Sequence, residues 1–126
     1  DMVSPSNHAI LDRVRVEAIR GLATLEGEDA VPLLVRSLGD PSQRVRNAAV
    51  SLLRAEPSDE VVTRIAEFLS SNNAEADDAR RLIKVIAERT SQAARDALAS
   101  LAEKRFAVGS GKIVRDTARA ALERRS

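Results

Sequence analysis

Three observations predict an all-α fold built from antiparallel helix pairs. Ala, Leu, Arg and Glu dominate the chain, and β-branched residues gather only in short clusters, a composition that favours helix. Apolar residues recur at three- and four-residue spacing, the period of a helix face and not of a strand. Clusters of Gly, Pro, Ser, Asn and Asp interrupt that spacing about once per helix length.

The first helix is predicted over 8–25, with Val14, Ala18, Leu22 and Leu25 as its core-facing stripe and Ser4 to Asn7 as loop before it. Gly27-Glu28-Asp29 ends it, and a second helix follows over 29–38. Gly39-Asp40-Pro41-Ser42 separates this from a helix over 42–55, whose stripe is Val45, Ala49, Leu52 and Leu53. Pro57-Ser58-Asp59-Glu60 reads as the start of a helix over 58–70, where acidic residues meet the positive end of the dipole. After Ser70-Ser71-Asn72-Asn73 comes a helix over 74–89, with Ala79, Leu82, Ile83 and Ile86 inward. Thr90-Ser91 opens a helix over 91–105. Gly109-Ser110-Gly111 precedes the last, over 112–125, with Val114, Ala118, Ala121 and Leu122 inward. Links this short make successive helices antiparallel neighbours.

Composition narrows the function. At 126 residues the chain fits a single domain over 1–126. Two Phe and no Tyr or Trp argue against base-stacking modules and aromatic cages. A net charge of +1 argues against a dedicated nucleic-acid binder. With no Cys and one His, neither a thiol nucleophile nor a Cys- or His-rich metal site can form within the chain. Uncharged stretches fall far short of a membrane span.

Comparing the chain with itself yields the strongest signal. Val14-Arg15-Val16-Glu17-Ala18-Ile19-Arg20-Gly21-Leu22 aligns with Val45-Arg46-Asn47-Ala48-Ala49-Val50-Ser51-Leu52-Leu53 at an offset of 31 residues. Val114-Arg115-Asp116-Thr117-Ala118 repeats the pattern, and Asp78-Ala79-Arg80-Arg81-Leu82-Ile83 is a fainter copy. Each copy is the second helix of a pair. Pro32, Asp40, Val45 and Arg46, at the spacing Pro-x7-Asp-x4-Val-Arg across a helix–turn–helix, resemble a HEAT repeat, in particular the short bacterial type of phycobilisome-lyase-like proteins. The resemblance implies a right-handed α–α superhelix (HEAT/ARM-like solenoid) of about seven helices. These form three to three and a half repeats: a half repeat at 8–26 and repeats at 28–56, 58–90 and 91–125. It implies an inter-repeat hydrogen-bond ladder carried by Arg15, Asp40, Arg46 and Arg115. The half repeat at the start suggests a module of a larger protein.

No catalytic set is expected, and no cofactor. His8 stands alone and reads as a solvated or capping residue. The acidic pairs Glu28-Asp29, Asp59-Glu60 and Asp77-Asp78 fall in first turns, where the helix dipole explains them. Gly109-Ser110-Gly111-Lys112 lacks the upstream Gly, the following Ser/Thr and the preceding strand of a phosphate loop.

Charge is the more informative property. Basic residues concentrate on the second helices, and the first helices carry an acidic excess. In HEAT-like solenoids second helices line the concave surface. The resemblance therefore implies a mildly basic inner face with Arg13, Arg20, Arg44, Arg54, Arg81, Lys84 and Arg119 as partner-binding candidates. The expectation is a scaffold or adaptor that docks a protein or peptide, acidic by preference, on that face. It is expected to be a monomer, with the cytoplasm favoured and no membrane insertion. A nucleic-acid-binding module is the alternative. Bilin-lyase-like chromophore handling is the third reading.

Overall fold

The computed structural model describes residues 5–71, 74–103 and 111–125, with side chains from residue 9 to 124 within those ranges. Seven α-helices and one 3-10 helix make up the described residues, which contain no strand. They are α1 (Pro5–Glu26), the 3-10 turn Gly27–Ala30, α2 (Val31–Ser37), α3 (Gln43–Ala55), α4 (Glu60–Ser71), α5 (Ala76–Ala87), α6 (Gln92–Glu103) and α7 (Gly111–Arg125). The predicted helices are present within a few residues at each end. The predicted loop Ser4–Asn7 is corrected in part, because α1 already begins at Pro5. Proline is tolerated there, since a first-turn N–H has no intrahelical partner.

The contacts group the chain into two compact units, Asp1–Glu56 and Pro57–Ser126, divided between repeats. In the first unit α1 packs on α3, and the 3-10 turn and α2 close over α1 and α3. α1 ends at Gly27, whose φ of 55° is the only positive value among the described residues; this left-handed C-cap suits glycine. Val31, Leu34, Val45, Ala49 and Leu53 are sealed between α2 and α3. Ser42 starts α3 by accepting a hydrogen bond from the Val45 amide at 3.4 Å.

In the second unit the second helices α5 and α7 are neighbours, the first helices α4 and α6 are neighbours, and α6 also packs on α7. Val61, Ile65, Leu82, Ile86, Leu98 and Ala118 lie at its dry centre. Phe68 is only half-buried, so the described core is entirely aliphatic. Small residues such as Ala49, Ala79, Ala94 and Ala118, each fully buried, let the helices approach closely enough to make that core dense.

One predicted stripe is corrected. α1 buries Val16 and Ile19, whereas Val14 (60% exposed), Leu22 (37%) and Leu25 (84%) face outward. Their repeat counterparts Val45 and Leu53 are covered by α2, and α1 has no such helix among the described residues. The face α1 buries is the one that meets the next pair.

Candidate functional site

Arg13, Val16, Glu17 and Arg20 of α1 meet Arg44, Asn47, Ala48 and Ser51 of α3 around an open groove of about 400 Å³. The pairing follows from the repeat: Arg13 and Arg44 are 31 positions apart, as are Val16 and Asn47, Glu17 and Ala48, and Arg20 and Ser51. Val16 and Ala48 form the apolar floor, being 6% and 8% exposed. Three guanidinium groups stand around it, against the single carboxylate of Glu17. That carboxylate accepts a hydrogen bond from Arg20 Nη1 at 2.9 Å, with both side chains more than half exposed. Arg13 and Arg44 form no ion pair among the described residues, so their charge faces the groove. An aliphatic floor flanked by cations can take an extended or helical peptide that carries carboxylates. Among the described residues the groove holds one carboxylate and no metal-ligating cluster.

Of the predicted partner-binding residues, Arg13, Arg20 and Arg44 converge in this groove. The other four have separate surroundings. Arg54 is exposed in the last turn of α3, and Lys84 in the last turn of α5, where a cation complements the dipole. Arg81 donates to Asp78 Oδ1 at 2.8 Å, and Asp78 is 6% exposed, so Arg81 neutralises a buried carboxylate. Arg119 Nε donates to the carbonyl of Ala102 at 2.9 Å, satisfying the C-terminal end of α6.

The predicted ladder residues have the following partners. Arg15 Nη2 donates to Asp40 Oδ1 at 2.8 Å and lies 3.4 Å from Asp12, linking α1 to the turn before α3. The same Asp40 oxygen accepts from the Ser42 amide at 2.8 Å, and Ser42 Oγ donates to Asp12 at 2.9 Å. Arg46 donates to the carbonyls of Asp40 and Pro41 in its own turn, at 2.8 and 3.0 Å. Arg115 Nε is buried without a hydrogen-bond partner among the described residues, 3.6 Å from Asp116.

Sequence reasoning missed Asp12 and Ser42, which complete the α1–turn network. It also missed Arg89, which donates to the Ser58 carbonyl at 3.2 Å across a separation of 31 residues, the repeat length. A signal for a shared turn device was present: Ser42-Gln43-x-x-Arg46 recurs as Ser91-Gln92-x-x-Arg95. In both, the arginine bonds the glutamine and turns back to a loop carbonyl.

A second groove, of about 560 Å³, lies between α4 and α6 and is lined by Thr63, Glu67, Asp96 and Ser100 over Val62 and Leu101. Its charged residues are acidic, and no cation lines it. The side chain of His8 and residues Gly109 and Ser110 lie outside the described residues, while Lys112 is exposed at the start of α7.

The family model for HEAT repeats matches residues 11–79, more than half of the chain and all of the first groove. No curated protein and no solved structure matches it.

Proposed function

Because the chain belongs to the HEAT-repeat family, a family of protein-interaction scaffolds, we propose that it docks an acidic peptide segment of a protein partner in the groove between α1 and α3. The observation that carries this reading is the convergence of Arg13, Arg20 and Arg44 over the Val16–Ala48 floor. Guanidinium groups hold carboxylates bidentately and are weakly hydrated, so they suit an interface that excludes water. The groove works by complementarity: the floor takes apolar contact, and the arginines select charge and set orientation.

Titrating a fluorescent glutamate-rich peptide into the full chain, with Arg13→Glu/Arg20→Glu/Arg44→Glu as control, tests it. The wild type binds and the reversed groove loses binding at least about tenfold. A duplex DNA oligomer, titrated at two salt concentrations, is the competitor. Micromolar DNA binding with a steep salt slope, and none to the peptide, favours the nucleic-acid reading instead. The finer likeness to short bacterial, bilin-handling relatives is supported only by the Pro32–Asp40–Val45–Arg46 spacing. An absorbance shift of a tetrapyrrole on mixing tests it.

A further inference from the structure

The acid–base pair inside the arginine groove has a counterpart elsewhere in the chain. Glu17-Ala18-Ile19-Arg20 of α1 and Asp78-Ala79-Arg80-Arg81 of α5 share the pattern acid-Ala-x-Arg, 61 residues and so about two repeats apart. In both, the arginine donates to the carboxylate three positions earlier, at 2.9 and 2.8 Å. Their surroundings differ. The Asp78 side chain is 9% exposed, so that pair is sealed and keeps a buried carboxylate neutralised. The Glu17 side chain is 62% exposed and that of Arg20 57%, so this pair stands open to water. An open pair at this spacing adds little stability and exchanges readily for another partner.

The two ends of the groove are also unlike. Arg13 and Arg44 occupy equivalent repeat positions and make no ion pair among the described residues. Further along α1, Glu17 and Arg20 stand opposite Ala48 and Ser51, which carry no charge. The first end can take an anion directly. The second already holds one, supplied by the chain itself.

Resting on the acidic-peptide reading of this groove, we infer that Glu17 is its specificity-determining residue. Its carboxylate occupies Arg20 as a stand-in for the ligand, and a peptide gains the Arg20 end only by replacing it with a second carboxylate of its own. The spacing names the ligand. Arg13 and Arg20 are seven residues apart on one helix, about 10.5 Å. A polyproline II segment presents residues i and i+3 on one side, about 9 Å apart, so an extended Glu-x-x-Glu matches this span. A peptide with one acidic residue binds at Arg13 and Arg44, leaves the internal pair intact and is repelled by Glu17. A peptide with two displaces Glu17 into water, which costs it at most about fivefold in affinity.

Fluorescence anisotropy of the full chain tests this with two labelled, otherwise uncharged peptides, one containing Glu-Pro-Pro-Glu and one Glu-Pro-Pro-Gln. Glu17→Gln keeps the side chain's length and removes its charge. At about 0.05 M salt it strengthens binding of the two-carboxylate peptide about fivefold, and of the one-carboxylate peptide less than about twofold, the effect of a screened charge nearby. With Arg20→Gln added, the two peptides bind alike. Equal gains for both peptides, no gain for either, or a difference that persists without Arg20 would overturn the inference. If Arg13→Glu/Arg20→Glu/Arg44→Glu still abolishes binding in that event, the groove reading stands and only the role of Glu17 falls. Failure of both peptides to bind any of these chains overturns the groove reading and this inference together.

Discussion

Asp40 shows how much one side chain can organise. One of its oxygens accepts from Arg15 of α1 and from the Ser42 amide that opens α3, so it fixes a turn and joins two helices. The Arg15–Asp40 pair is partly exposed, at 45% and 21% of the side chains, and such pairs contribute only about 0.2–1 kcal/mol. The turn bond adds to Asp40 alone. Asp40→Ala is therefore expected to cost more than Arg15→Ala, about 1 kcal/mol more, with a double-mutant cycle in urea isolating the coupling. Gly21 within α1 and Gly27 just beyond its end should behave oppositely. Gly27 has φ 55°, so Gly27→Ala strains the left-handed cap and lowers stability by about 1 kcal/mol. Gly21 is helical with open space at its Cβ, so Gly21→Ala raises stability by about 0.5–1 kcal/mol. Thermal melts read both.

At the scale of elements, the helices were legible because their ends are chemically marked: Ser42, Ser58 and Ser91 each accept an amide hydrogen bond at a helix start, and Gly27 closes α1. The burial of each face was less legible. A stripe at helical period says that a face is apolar, and not which neighbour covers it. Val14 and Val45 share a repeat position, yet only Val45 has α2 against it. The consequence is measurable with repeat-equivalent truncations. Leu53 is fully buried, so Leu53→Ala costs about 2–5 kcal/mol. Leu22 is 37% exposed, so Leu22→Ala costs well under about 1 kcal/mol. Equal losses would show that α1 is covered as α3 is. The groove was legible in part: Arg13, Arg20 and Arg44 belong to second helices. The internal uses of Arg81 and Arg119 were not, because a buried carboxylate and a helix-end carbonyl become neighbours of an arginine only once the helices pack.

At the scale of the whole molecule, a net charge of +1 conceals local separation. The groove of the first unit is rimmed by arginine, and the groove of the second unit by Glu67 and Asp96. Attraction of an acidic segment to the first is partly screened at about 0.1 M salt, where the Debye length is about 10 Å. Raising salt from 0.05 to 0.5 M should therefore weaken peptide binding several-fold without abolishing it, since the Val16–Ala48 floor is unaffected. The most direct measurement of where this protein binds is an amide chemical-shift titration of the full chain with the glutamate-rich peptide. The account predicts shifts concentrated at Arg13, Val16, Glu17, Arg20, Arg44, Asn47, Ala48 and Ser51. Shifts confined to Val62, Thr63, Ala97 and Leu101, with the α1–α3 groove silent, would contradict it.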